Sequence, residues 1–347
     1  MPKSPKFYPL CLRVAIATTL LSAFDRDALA QTTKPPFLRQ TAPVLIAQTE
    51  AQALVIKGAL LFDRNRFQEA LDAFEAAIRL QPDIPEAWFA KGKALFRLKR
   101  AEESLVAYAK AIQLRPKFPE AWDGLTTSLF ALKRYKELLE FSDKIIELQP
   151  DFPQAWIGRG TALFGFKRYQ EALTAVDKAI QLQPDLNGAW SGRGRVLYRL
   201  GRPQEALASF DKGIQVNSED FDSWYYRGYI LDDQKRYEEA LQAYDRALKI
   251  TTADIASMPW HNKGITLNNL KRYEQAIAAF DRAIKNNDYF SEFVDLTVAD
   301  SWYARGVALY SMKRYQEAVS SFDRAIAERS DFADAIKART IAQKWLR

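Results

Sequence analysis

The chain has 347 residues, 48% hydrophobic and 27% charged, with a formal net charge of +7; an extended disordered polymer is excluded. Its 14 glycines and 15 prolines exclude collagen-like and low-complexity sequence. One cysteine, Cys11, and one histidine, His261, exclude a disulfide framework and a Cys/His metal cluster, and leave only His261 for any imidazole-based catalysis.

Residues 1–30 read as a targeting segment rather than fold. Lys3, Lys6 and Arg13 make a basic start, Val14 to Phe24 is an uncharged, largely apolar run, and Ala28-Leu29-Ala30 gives a cleavage pattern before Gln31. This is the layout of a secretory signal peptide, and the run is too short to span a bilayer. Asp25 and Asp27 near the cleavage site depart from that layout, and no lipobox precedes Cys11. Cleavage would lower the formal charge from +7 to +5, since four bases and two acids leave with the segment. An exported, periplasmic or extracytoplasmic location follows as an expectation. Residues 31–50 contain Pro35, Pro36 and Pro43 with no helical period, and read as a flexible tether.

A 34-residue period organises the rest. Trp88, Trp122, Trp156, Trp190 and Trp224 are spaced by 34, and Trp260 and Trp302 follow at gaps of 36 and 42. Leu54 takes the same place one period earlier. Four residues on come Gly58, Gly92, Gly160, Gly194, Gly228, Gly264 and Gly306, with Thr126 the exception. Seven residues on there is always leucine, from Leu61 to Leu309. A mostly small residue follows at Ala70, Ser104, Leu138, Ala172, Ala206, Ala240, Ala276 and Ala318, and Pro82, Pro116, Pro150 and Pro184 close the first four units. This pattern resembles the tetratricopeptide repeat. The resemblance implies an all-α fold, a right-handed superhelical α-solenoid of helix-turn-helix repeats. The eight units are 51–84, 85–118, 119–152, 153–186, 187–220, 221–256, 257–298 and 299–332, with a polar capping helix over 333–347. One helix pair cannot cover its own apolar face, so stacking in a single solenoid supplies the core.

Three units depart from the pattern. Repeat 3 has Thr126, Leu138 and Ser142 in place of Gly, Ala and an aromatic, which predicts a local distortion. Repeat 5 has Pro203 where the turn aromatic belongs, at a helix start that tolerates it. Repeat 7 carries an insertion within 286–299 that includes Tyr289, Phe290, Phe293, Val294 and Leu296, readable as a helix extension or as a ligand contact.

A charge pattern carries its own control. The residue before the glycine is basic at Lys57, Lys91, Arg159, Arg193, Arg227, Lys263 and Arg305, but Leu125 in repeat 3. A late second-helix acid appears at Glu75, Asp143, Asp177, Asp211, Asp245, Asp281 and Asp323, but Ala109 in repeat 2. Both exceptions fall at one junction if each acid pairs with the base of the following repeat. This predicts a ladder of ion pairs, with Arg339 of the cap receiving Asp323. The turns repeat Lys-Arg pairs, from Lys99-Arg100 to Lys313-Arg314, with acids such as Glu103 and Glu317 close behind that dilute the field.

Catalytic constellations do not emerge. Gly158-Arg159-Gly160 and Gly192-Arg193-Gly194 lie inside helices rather than after a strand, and no Walker loop or G-x-S-x-G occurs. No cofactor and no metal is expected, and the chain reads as non-enzymatic. An enzyme would need acids at non-repeating places, for which Asp232 and Asp233 are the cluster available. The resemblance implies an interaction scaffold that holds a protein or peptide segment in a concave groove, here in assembly of an envelope or membrane-associated complex. The alternative is an adaptor whose basic turn rim docks on anionic membrane or polyanion; nucleic acid is disfavoured. In the family a Lys/Asn/Asn/Lys/Arg set grips a carboxylate terminus. Here those places read Val55, Ala59, Ala90, Glu120 and Gly124, which disfavours such a client. The resemblance also places the first, second, fifth and eighth residues after each Trp on the concave side. The eighth gives a stripe of Phe62, Phe96, Phe130, Phe164 and Tyr198, then changes to Asp232 and Asn268. With Tyr225, Tyr226, Tyr229, Asp233, His261, Asn262, Asn269 and Tyr303, these last define the expected partner-binding groove across repeats 5–8; the Phe stripe is a secondary one.

Overall fold

The computed structural model describes residues 42–186, 188–250, 256–286 and 297–346. The expected leader, residues 31–41 of the expected tether and the aromatic insertion of repeat 7 lie outside the described residues. Seventeen helices and no strand occur among the described residues, grouped in two compact units, residues 1–183 and 184–347. The first unit holds α1 (Ala42–Asp63), α2 (Phe67–Leu80), α3 (Pro85–Arg97), α4 (Ala101–Leu114), α5 (Pro119–Ala131), α6 (Tyr135–Leu148), α7 (Pro153–Gly165) and α8 (Tyr169–Leu182). The second holds α9 (Ala189–Arg199), α10 (Pro203–Val216), α11 (Phe221–Asp233), α12 (Tyr237–Ile250), α13 (Ser257–Asn269), α14 (Tyr273–Lys285), α15 (Val298–Ser311), α16 (Tyr315–Glu328) and α17 (Ala333–Gln343). Residues 42–50 of the expected tether are helical: α1 runs through them, with Pro43 in its first turn, where a missing N–H costs nothing. No described helix is long and apolar enough to cross a membrane.

Each repeat is a first helix, a tight turn and a second helix. Six of the seven glycines of the 34-residue period have an aromatic ring lying on them, and Gly160 has Val176 in its place. A Cβ on Gly58, Gly194, Gly264 or Gly306 would sit 2.5–2.6 Å from a ring carbon of Phe74, Phe210, Phe280 or Phe322. Tyr108 and Tyr244 lie on Gly92 and Gly228 in the same way. The tryptophans clamp the loop that leads into their repeat. Trp88, Trp122, Trp156 and Trp190 donate Nε1–H to the carbonyls of Pro82, Pro116, Pro150 and Pro184 at 2.8–2.9 Å. Trp224 makes the same bond to Ser218 at 3.0 Å. The indole thus satisfies a loop carbonyl and fixes the loop against the helix.

Repeat 3 shows the expected distortion and its cause. α5 packs on α6 more loosely than any other first helix on its own second helix. Thr126 and Leu138 add bulk where Gly and Ala allow close approach, and Ser142 cannot fill the space an aromatic fills elsewhere. Trp122 turns inward instead, fully buried, stacked on Phe141 at 5.0 Å and edge-on to Phe152 at 5.5 Å.

The ion ladder runs through both units. Glu75–Lys91 and Asp143–Arg159 meet at 2.8 and 2.9 Å in the first. Asp211–Arg227, Asp245–Lys263, Asp281–Arg305 and Asp323–Arg339 meet at 2.8, 2.5, 2.7 and 3.1 Å in the second. Asp177 and Arg193 belong to different units. Ala109 and Leu125 are fully buried in one apolar cluster with Trp122, so the junction without an ion pair is dry.

Within each unit, first helices touch the first helices of neighbouring repeats, whereas second helices are spaced apart. Each unit therefore curves with its first helices on the inner side. The expectation of a polar cap is corrected. α17 packs on the last repeat through Ala338 and Ala342, and its outward side is less polar than expected, with Ile336, Ile341, Trp345 and Leu346 exposed.

Candidate functional site on the inner face of the second unit

The eighth-position stripe is packing before it is anything else. Phe62, Phe130, Phe164 and Tyr310 each sit against the first aromatic of their own second helix, Phe67, Tyr135, Tyr169 and Tyr315, at 5.1–5.4 Å. These rings close the turn, and Phe96 is half-buried where Ala101 leaves it no such partner. Tyr198 has Pro203 in the partner's place, and turns to the next repeat, meeting the Tyr229 ring edge-on at 5.7 Å and 87°. One substitution at a helix start thus frees an aromatic for the inner face.

The expected groove residues divide by burial. Tyr225 and His261 are buried at 6% and 7% exposure, and act as internal struts rather than as an open surface. Asn262 donates Nδ2–H to the Tyr225 hydroxyl at 3.0 Å, and Phe221 stacks on the Tyr225 ring at 5.9 Å. His261 Nδ1 lies 2.9 Å from Ser301 Oγ, and its ring packs edge-on against Phe280. Burial pushes its pKa down to about 4, against a small upward pull from Asp300. Tyr303 is half-buried, its ring 5.0 Å from Phe332 and 5.9 Å from Phe322. Tyr226 stacks on Phe210 at 5.8 Å and has the Arg195 guanidinium 5.4 Å from its ring centroid.

Asp232 is half-buried and accepts the Thr266 hydroxyl at 2.6 Å; desolvation raises its pKa, the Thr266 bond opposes this, and Asp233 adds to it. Asn268 is half-buried with its Oδ1 enclosed and without a hydrogen-bond partner among the described residues. Tyr229 (41% exposed), Asp233 and Asn269 remain open. Asp233 forms no hydrogen bond or ion pair among the described residues. Its charge acts on Tyr198, whose hydroxyl is pushed up to about 12 by burial first, then by Tyr229 and Asp233.

Arg195, Asp222, Thr266 and Ser301 belong to this face and were not singled out in the sequence. Arg195 lies 3.8 Å from Asp222. Solvent reaches both, yet the surrounding helices crowd them, and desolvation pushes the Asp222 carboxyl up while Arg195 pulls it down. The sequence carries a partial signal: the fifth position after each Trp is small in Ala59, Thr127 and Thr161, and basic in Lys93 and Arg195. No cluster of three or more His, Cys, Asp or Glu able to hold a metal occurs among the described residues.

The turn rim is less basic than its composition suggests. Arg66, Arg100, Arg168, Arg202, Arg236 and Arg314 each grip a glutamate three residues on at 2.6–2.7 Å through Nε, from Glu69 to Glu317. Arg134 does so with Glu137, and in repeat 7 Arg272 bonds Gln275 and reaches Glu238 of the previous repeat.

Comparison with known proteins agrees with this geometry. The family model described as tetratricopeptide repeat matches residues 57–121, 131–187, 191–255 and 262–338. None of the curated proteins compared matches the chain. Among solved structures, the APC/C hetero-tetramer Cut9–Hcn1 is similar at TM-score 0.56 and 14% identity, over 96% of this chain and 77% of that one. YrrB, a TPR protein with an unusual peptide-binding site, is 23% identical over 57% of this chain and 97% of its own, with TM-score 0.46. A MamA RS-1 double mutant is 22% identical over 49% of this chain and 95% of its own, with TM-score 0.37. The likeness to Cut9–Hcn1 shows the fold; with the glycine-on-aromatic packing and the family match over most of its length, the chain belongs to the tetratricopeptide repeat family.

Proposed function

We propose that the chain is an interaction scaffold whose second unit holds an extended segment of a partner protein against the first helices of repeats 5–8. The observation that carries this reading is the Tyr198–Tyr229–Asp233 cluster on the inner face. Tyr198 and Tyr229 offer ring faces and hydroxyls, and Asp233 offers an exposed carboxylate with no hydrogen bond or ion pair among the described residues. Tyrosine brings contact area at low entropic cost, and a free carboxylate beside it suits a basic or backbone N–H donor on the segment. Export, and assembly of an envelope or membrane-associated complex, complete the proposal. The rim reading is disfavoured by the arginine–glutamate grips.

The test is capture of partners from the envelope fraction by wild-type chain and by a Tyr229→Ala, Asp233→Ala variant. Both residues are exposed, so helicity should be unchanged, and affinity should fall by about 2 kcal/mol. If the variant retains every partner at wild-type strength while Lys→Glu changes at the turn rim abolish capture, the inner-face assignment is wrong.

A further inference from the structure

The outer face of α1 lacks the cover that the first helices of repeats 2–4 and 6–8 have within their units. The sixth residue after the Trp place is buried in repeat after repeat: Ala94, Ala162 and Ala308 at 0%, Ile230 at 1%. In α1 that place is Leu60, 55% exposed, and Ile56 beside it is 63% exposed. The ladder also starts incomplete. Lys91, Arg159, Arg227, Lys263 and Arg305 each receive an acid from the preceding second helix. Among the described residues no second helix precedes Lys57, and it forms no hydrogen bond or ion pair there, its charge acting only on Glu69 of its own repeat. What fits this face is an apolar helix that brings an acid.

α1 itself has that composition. It is 22 residues long, against 13 for α3, so it extends well beyond the footprint of its own repeat. Thr49, Ala53, Ile56 and Leu60 are all exposed and fall at spacings of four, three and four, the seam of a two-helix coiled coil. Glu50 and Lys57, also exposed, flank one side of that seam seven residues apart; the other flank, Gln52 and Ala59, is uncharged. Glu50, like Lys57, forms no hydrogen bond or ion pair among the described residues. Seven residues apart, the two hold equivalent places on the seam. The consequence depends on direction. Parallel helices would set Glu50 and Lys57 beside the uncharged Gln52 and Ala59 flank of the partner subunit, with no ion pair. Antiparallel helices set Glu50 against Lys57 of the partner subunit, and Lys57 against Glu50 of the partner subunit. The same register places Ala53 on Ile56 of the partner subunit and Thr49 on Leu60 of the partner subunit.

The geometry points to a two-fold dimer in which the α1 helices of two copies pack antiparallel through this face, the partner's Glu50 supplying the acid that Lys57 lacks. A two-fold contact of this kind is self-complementary and closes.

Sedimentation velocity on the full chain tests it. Wild type should show a concentration-dependent dimer below roughly 100 µM, a range a small helix pair can support. Ile56→Glu or Leu60→Glu, which would bury a charge in the seam, should raise the dissociation constant about ten-fold or more at unchanged helicity. Glu50→Lys and Lys57→Glu should each weaken the dimer, and the two together should restore it to near wild type, because the swapped charges pair again. A chain monomeric throughout this range overturns the proposal. So does a dimer indifferent to Ile56→Glu, or a double charge swap no better than either single change. A monomer that dimerises only after removal of residues 1–41 assigns the face to that segment and equally overturns it.

Discussion

At the scale of the residue, two positions carry measurable strain or linkage. Asn65, Lys99, Lys133, Lys167, Lys235, Lys271 and Lys313 adopt φ of 56–62° at the turn between the helices of their repeats, whereas repeat 5 uses Gly201 at 72°. A side chain in the left-handed region costs about 1–2 kcal/mol, partly offset because glycine frees the unfolded chain. Lys235→Gly should therefore stabilise the chain by about 0.5–1 kcal/mol, read from the urea midpoint, while Gly201→Lys should destabilise it. An unchanged or lower midpoint for Lys235→Gly would show that the lysine contributes more at the helix end than its backbone costs. The second position is His261. Its folded pKa lies near 4 and its ordinary value at 6.5. As pH falls through 6.5 the unfolded chain takes up a proton that the folded chain refuses until about 4. The neutral ring's contribution is thus complete above 6.5 and is lost on acidification between those values, by on the order of 3 kcal/mol. The His261→Gln variant should show a flatter decline of stability with acid over that window than wild type. Parallel declines would mean that carboxylates alone set the acid response.

At the scale of the element, the ladder joins one repeat's second helix to the next repeat's first. Asp211 and Arg227 meet at 2.8 Å, half-exposed, so a double-mutant cycle with alanine should give about 0.2–1 kcal/mol of coupling. No coupling there would reduce the ladder to a geometric pattern without energetic content. This junction-by-junction pairing was legible in the sequence because Ala109 and Leu125 changed together. So were the glycines, whose spacing to the aromatic that covers them is constant. The groove was legible only in part. Tyr225, Tyr226 and Tyr229 look alike as letters, yet helix geometry sends Tyr225 into the stack and leaves Tyr229 outside. His261 looked available because no charged neighbour in sequence commits it; its partner, Ser301, is forty residues on, in the next first helix. Burial at such positions depends on the bulk of the adjacent repeat, which a single repeat's pattern does not contain.

At the scale of the whole molecule, nearest-neighbour repeats predict that each lost repeat lowers stability. The dry junction between repeats 2 and 3 predicts an exception to that order. Deleting residues 85–118 sets Glu75 against Leu125, and deleting 119–152 sets Ala109 against Arg159; either leaves one charge facing an apolar partner. Deleting 85–152 joins Glu75 to Arg159 and restores a pair of the kind found elsewhere. The longer deletion should melt at a higher temperature than either shorter one, and the reverse order would show that the apolar junction tolerates a charge. Removal of repeat 6 alone carries no such penalty in charge, since Asp211 would meet Lys263. In the terms of gene duplication, most units of this array are interchangeable tiles that can be copied or lost singly. Repeats 2 and 3 are not: each has one edge that fits only the other, so they can be inherited, multiplied or discarded only as a linked cassette.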